Sequence, residues 1–235
     1  LARFPMIYHG ANTRGRADHG WLKAKHTFSF ANYHDPSRMG FGALRVINDD
    51  HIAARRGFAT HPHRDMEIVT IPLQGSLRHE DSMGNSQVLQ KGEIQSMSAG
   101  TGILHSEFND GDEDLKLLQI WVLPKKMGVQ PRYEQKAFNP IDRRQKLQTV
   151  VSPDGEGLGI NQDAWFYLAD LEETSVEYKL HGKGQGVYVF VISGFANVNG
   201  KELFPRDGLG LEEDLHIQVF QQSELLVMEV PMLSS

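Results

Sequence analysis

Short runs of β-branched and aromatic residues, cut by turn-forming residues, set the pattern of this chain. They fall at 43–48, 67–73, 76–80, 115–123, 186–192, 196–198, 216–221 and 225–230. Runs of that length and composition, bounded by Gly, Pro, Asn or Asp, read as strands. Ser82-Met83-Gly84-Asn85 and Asn197-Val198-Asn199-Gly200 fall where hairpins should reverse. No long stretch carries the i, i+3, i+4, i+7 apolar stripe of an amphipathic helix. The pattern predicts an all-β barrel or sandwich.

The pattern also repeats. EIVTIPLQG (67–75) lies on GVYVFVISG (186–194) at an offset of 119, and QKGE (90–93) lies on RDGL (206–209) at an offset of 116. Two copies of one small barrel are therefore expected, the second with a shorter hairpin. The domains are placed at 1–130 and 131–235. The segment 122–140, which holds Pro124, Pro131 and Pro140 beside Lys125, Lys126 and Arg132, reads as the linker.

Composition narrows the function classes. With 24 Lys+Arg against 30 Asp+Glu in 235 residues, the net charge of −6 supplies no global basic field for nucleic acid or anionic lipid. The cluster Arg143-Arg144-Gln145-Lys146 is too short to change this. No apolar run reaches the roughly 18 residues that span a bilayer, and the opening LARFPMIYHG lacks the plan of a signal peptide. A cytoplasmic protein is expected. The absence of cysteine excludes disulfides, zinc knuckles and thiol nucleophiles. The chain has 11 histidines, and nine lie in the first 105 positions.

Two pairs stand out. His61-Pro62-His63 places two imidazoles at i and i+2, on one face of an extended chain about 6.6 Å apart at the backbone. Pro62 holds His61 in the extended region. His105-Ser106-Glu107 repeats the spacing just after the glycine-rich turn of SAGTGILHSE. If the two strands face each other, they offer three nitrogens and one carboxylate, which suits Fe, Mn, Co, Ni, Cu or Zn rather than Ca or Mg. A six-coordinate ion would keep open positions for substrate or dioxygen. From spacing alone, the other reading stays open: a surface pair at His61 and His63 and a satisfied core histidine at His105. The acidic loop NDGDED (109–114) lacks the alternating ligands of a calcium loop and reads as a solvated turn.

These residues resemble the two motifs of the cupin superfamily. Gly57, His61, His63, Glu67 and Gly75 match the first, and Gly92, Gly100, His105 and Asn109 match the second. The departures are a short Gly57–His61 interval, Ser98 in place of proline and two extra residues before His105. They are those of the pirin family, whose motifs resemble HPHRDME and MSAGTGILHSE and whose opening resembles HTFSFANYHDPSRMGFGALRVINDD. The likeness covers most of 21–131 and continues more weakly to the C-terminus.

The resemblance implies a bicupin, two packed double-stranded β-helix barrels with metal only in the N-terminal one. It carries the ligand roles to His61, His63, His105 and Glu107, and leaves Glu67 a supporting place behind the ligands or in the pocket. The repeat offsets put Leu180, Gly182, Gln221 and Ser223 at the matching positions of the second copy, so no ligand is expected there; His181 and His216 are expected to be structural or solvent-facing.

The implied activity is that of a quercetin 2,3-dioxygenase, a monomer that opens the ring of a flavonol with dioxygen at a divalent transition metal. Iron is the first choice, with Mn, Co, Ni, Cu or Zn as alternatives. Glu107 would serve as catalytic base as well as ligand. Phe30, Phe41, Phe58, Met97 and Trp121 are the candidates for an apolar slot around a planar substrate. The alternative is a non-enzymatic iron-binding regulator that works through protein partners, and a third reading is a purely structural ion.

Overall fold

A computed structural model describes residues 5–233, in which the chain is strand, turn and two short 3-10 segments. Residues 1–4, part of the opening read for a leader, lie outside the described residues. Among the described residues, no helix is long and apolar enough to cross a membrane.

The strands form four antiparallel sheets in two sets. In the N-terminal set, a seven-stranded sheet runs Arg132–Ala137, Glu93–Ser98, Glu67–Gln74, Leu115–Val122, Leu44–Ile52, Leu22–His26, Gly15–Asp18. It is accompanied by a four-stranded sheet in the order Arg56–His63, Ile103–Asn109, Ser76–Asp81, Ser86–Gln90. The C-terminal set repeats the plan. Its six-stranded sheet runs Ile7–His9, Gly208–Leu211, Gln185–Ser193, Ser223–Pro231, Trp165–Leu171, Gln148–Val151, and its four-stranded sheet runs Thr174–Tyr178, Leu215–Val219, Ala196–Val198, Lys201–Leu203. The strands joined by the repeat offset, Glu67–Gln74 and Gln185–Ser193, hold the same place in the two orders.

The two large sheets pack face to face. Ile47, Val69, Leu118 and Ile120 of one meet Phe166, Tyr188, Phe190 and Met228 of the other in a shared core. A central strand of these sheets is therefore buried on both faces: Val187, Val189 and Val191 point into their own barrel, while Tyr188, Phe190 and Ile192 point at its neighbour. Burial on both faces makes such strands continuous apolar runs instead of alternating ones, which is why 67–73 and 186–192 are visible in the sequence.

The interiors differ. The C-terminal barrel is filled by Val187, Val189, Leu209, Ile217, Val219, Val227 and their neighbours. The N-terminal barrel is apolar only at its two ends, where one cluster holds Leu22, Ile52, Leu77, Leu115 and Leu117 and another holds Ile68, Met97, Ala99 and Ile103. Between them, inward positions are polar: Asn48, Asp50, Thr70, His79, Gln95 and Glu107 are all buried.

The segment 122–140 is not a linker. It contains the Arg132–Ala137 strand, which pairs with Glu93–Ser98 in the N-terminal sheet, C-terminal to the expected boundary at 130/131. Its prolines lie outside that strand and so cost it no ladder hydrogen bond. Conversely Ile7–His9 pairs with Gly208–Leu211 of the C-terminal sheet. Each half thus lends its leading strand to the edge of the other.

Candidate metal centre

The Arg56–His63 and Ile103–Asn109 strands are antiparallel neighbours, with Ile103 opposite His63 and His105 opposite His61. The register then shifts, so that Glu107 faces Phe58. Two residues, Ala59 and Thr60, thus face Ser106 alone, a bulge that re-aims the strand. Without it, Phe58 and His61 would point to opposite faces. With it, the Phe58 and His61 rings lie 6.4 Å apart.

The three imidazoles of the two pairs converge. Ring centroids are 4.9 Å apart for His61 and His63, 4.4 Å for His61 and His105, and 4.7 Å for His63 and His105. Each offers a ring nitrogen to a cluster whose donor atoms lie within 4.8 Å of one another. His61 Nδ1 lies 2.7 Å from the Ala59 carbonyl and donates to it, so its proton sits there and Nε2 keeps a free lone pair. His61 Nε2 and His105 Nε2 are 2.9 Å apart. Burial, reinforced by its two neighbours, pushes His63 down to about 4, and burial with His61 and His79 pushes His105 down to about 3. One shared proton or one cation can bridge the two Nε2 atoms at that distance, and three imidazoles with a ring nitrogen each turned to one point are a donor set that fits a metal.

Glu107 lies just inside this group. Its Oε1 is 3.9 Å from His105 Nε2. Gln119 donates to Oε1 at 3.0 Å and Gln95 to Oε2 at 3.1 Å. These glutamines are held in turn, Gln119 by the Trp121 indole and Gln95 by Thr70 and Tyr133. Asp50 faces inward beside Leu117; its Oδ1 is buried without a partner. Burial above all, with Asp49 and Glu107 nearby, pushes its carboxyl up to about 7.

The other expected site residues divide. Phe30 and Trp121 meet edge to face at 5.3 Å, and Trp121 lies 5.2 Å from His63, so both stand at the histidines. Met97 is in the apolar cluster against which Trp121 packs. Phe58 reaches His61 on one side and Trp21 on the other. Phe41 is elsewhere: it is buried in the core between the barrels, 5.7 Å from Tyr188. Glu67 also points away from the histidines. It accepts from Ser98 Oγ and from the Asn161 amide, both at 2.7 Å, and so ties the N-terminal sheet to a loop of the other half. A supporting role behind the metal does not follow from these contacts; its carboxylate instead joins the two barrels.

His79 was not legible as a site residue. It is fully buried, stacks on Tyr133 at 4.0 Å, and is paired with Asp81 at 2.6 Å. The signal was a third i, i+2 pair, His79 and Asp81, hidden because Asp81 reads as the start of a turn.

In the second barrel the linear offsets overshoot. The strands topologically equivalent to the two ligand strands are Thr174–Tyr178 and Leu215–Val219, whose inward residues include Tyr178, Leu215, Ile217 and Val219. Among the described residues, no metal-capable cluster lies there. His181 stacks on Trp165 at 3.6 Å and pairs with the buried Glu229 at 2.8 Å, and His216 faces Glu177 at 3.4 Å.

Among the described residues, two hollows stand out on the surface. The larger, about 950 Å³, is a cleft between the barrels lined by residues such as Leu73, Lys91, Arg143 and Glu224, and holds no histidine. The smaller, about 420 Å³, opens beside His63 and is lined by Pro62, Arg64, Thr101 and Leu104. Of the two, the smaller is the one that touches a candidate ligand, His63.

Comparison with known proteins places this geometry. The family profile described as Pirin matches residues 9–122, and that described as Quercetinase C-terminal cupin domain matches 149–230. The chain is 46% identical over 232 residues to the quercetin 2,3-dioxygenase of Escherichia coli K12, covering 96% of this chain and 99% of that one. It is 42% identical over 220 residues to a pirin-like protein of Caulobacter vibrioides, covering 92% and 95%. Among solved structures, the bacterial pirin YhhW of Escherichia coli in complex with nickel(II) superposes with a TM-score of 0.92 at 44% identity, covering 97% of this chain and all of that one. This chain, a bicupin, belongs to the pirin family.

Proposed function

We propose that this protein is a metal-dependent dioxygenase of the quercetin 2,3-dioxygenase type, with His61, His63, His105 and Glu107 as ligands in the N-terminal barrel. The observation that carries the proposal is the convergence of three imidazoles on one point beside a buried carboxylate. The names of the Escherichia coli relatives supply the substrate class, a flavonol, and nickel is the ion described with one of them. Three imidazole nitrogens and one carboxylate oxygen admit Fe, Mn, Co, Ni, Cu or Zn; iron, which the pirin resemblance implies, is the first choice, and zinc alone among them has no redox chemistry.

When bound, such an ion supplies Lewis-acid polarisation of a substrate oxygen and a path for electrons toward dioxygen. The chain does the rest. Glu107 accepts the proton of the flavonol 3-hydroxyl, and Gln95 and Gln119 hold its two oxygens in place meanwhile. Phe30 and Trp121 form an edge-to-face wall beside His63 against which a planar ring can lie. The hollow at His63 falls in the roughly 300–1,000 Å³ range of small-molecule sites.

The test is turnover of quercetin by protein loaded in turn with Fe, Mn, Co, Ni and Cu. Flavonol bleaching with release of carbon monoxide is expected in at least one form, and its loss in Glu107→Gln. Absence of both signals in all five forms refutes the proposal.

A further inference from the structure

The barrel interior holds a second convergence of donors. His79, His105 and Glu107, all buried, place one ligand atom each within 4.8 Å of the others. In the ladder, His79 is opposite Glu107 and Asp81 is opposite His105, so the four side chains share the inward face.

The state of His79 is fixed by its neighbours. Asp81 Oδ2 lies 2.6 Å from His79 Nε2. Asp81 is itself anchored by the turn that follows: its Oδ1 accepts from the Met83 and Asn85 amides, and Asn85 Nδ2 reaches its Oδ2 at 2.9 Å. These bonds hold the carboxylate in place against the His79 ring. Nε2, which faces a carboxylate acceptor, carries a proton, so Nδ1 is the ring atom left to serve as a ligand. That atom is buried with no partner, as is His105 Nδ1. Stacking on Tyr133, within 19° of parallel, keeps the ring from turning away.

A carboxylate that fixes the tautomer of a histidine, whose other nitrogen is free, is the arrangement that metal-ligating histidines use. Buried polar atoms without partners call for a ligand, ion or water. We propose that His79, oriented by Asp81, forms with His105 and Glu107 a second seat for a divalent transition metal. It is deeper in the barrel than the seat at His61 and His63, and shares His105 and Glu107 with it. The sharing rests on the ligand assignment made above. It also means that the two seats take one ion between them.

Nickel(II) alone is the probe. The His61→Ala/His63→Ala protein, which keeps all three inner donors, should bind one equivalent of nickel, more weakly than the wild type and with a changed ligand-field spectrum. Adding His79→Phe, which preserves the stack on Tyr133, should abolish that binding. Adding Asp81→Asn instead should weaken it about 10–100-fold. Circular dichroism establishes that each variant is folded, and His79→Gln replaces His79→Phe if the latter is not. The inference is overturned if the double variant binds no nickel while the wild type binds it, or if the double variant holds nickel equally well without His79. A wild type that binds no nickel refutes both seats, since it carries every donor of each, whereas a double variant that binds nickel as tightly as the wild type refutes the outer seat alone.

Discussion

Replacing Asp50 with asparagine should reverse a pH-dependent weakness built into the N-terminal barrel. Asp50 is 7% exposed, its Oδ1 has no partner, and burial, Asp49 and Glu107 push its carboxyl from 3.8 up to about 7. A folded-state value above the unfolded one means that the native protein holds a proton which the unfolded chain gives up. The penalty is absent below about pH 4 and grows by about 1.4 kcal/mol per pH unit until about pH 7. The whole interval corresponds to about 4 kcal/mol for a fully buried group. An asparagine at this position has no ionisable group, though its amide needs partners at every pH, a constant cost of about 1–3 kcal/mol. The diagnostic is therefore the slope. Urea unfolding of metal-free wild type and Asp50→Asn, from pH 4 to pH 8, should give a stability difference that moves in favour of the variant by about 2–4 kcal/mol. Two parallel curves would refute the reasoning, because they would mean that Asp50 ionises as easily folded as unfolded.

His63 and His105 act with the opposite sign. Their folded values, about 4 and about 3, lie below 6.5, so metal-free protein should lose stability as the pH falls below about 6.5, by up to about 1.4 kcal/mol per pH unit for the buried His105. The same urea titration in the Asp50→Asn background reads this, and His105→Gln should flatten it. Glu107→Gln should lower nickel affinity by at least about 10–100-fold, whereas Glu67→Gln should leave bound nickel unchanged and cost about 1–3 kcal/mol through its bonds to Ser98 and Asn161; metal analysis and thermal unfolding separate the two. Gly100→Ala should cost at least about 1–3 kcal/mol, since Gly100 has φ +51° and an added Cβ would stand 2.0 Å from the Val129 carbonyl. Faster hydrogen exchange at the Thr101 amide, which bonds that carbonyl at 2.9 Å, should accompany it.

What the sequence disclosed follows from where residues face. The runs at 67–73 and 186–192 stood out because both faces of those strands are buried. The strands that build the site did not: Arg56–His63 has exposed and half-buried positions and a bulge, and its apolar content is low because its inward side chains are the histidines. Histidine spacing compensated, since an i, i+2 pair needs only an extended chain to align. Phe41 was misplaced because aromatic character announces a core without saying which of two. The partners of Glu107 stayed hidden because glutamine, unlike histidine, signals nothing until the register of three strands sets Gln95 and Gln119 beside it. Arg132–Ala137 was hidden for a related reason: a half-exposed edge strand between prolines resembles a loop.

The reciprocal placement of Ile7–His9 and Arg132–Ala137 bears on what kind of object this protein is. A cut between Val122 and Arg132 leaves each fragment carrying a strand that belongs to the other and lacking one of its own. Each piece then has an unpaired sheet edge that the other piece's strand would cover. The C-terminal barrel is then no disposable relic, because the chain that leads into it forms Arg132–Ala137, with Tyr133, whose ring lies against His79 and whose hydroxyl reaches Gln95, in the wall of the barrel that gathers the three imidazoles.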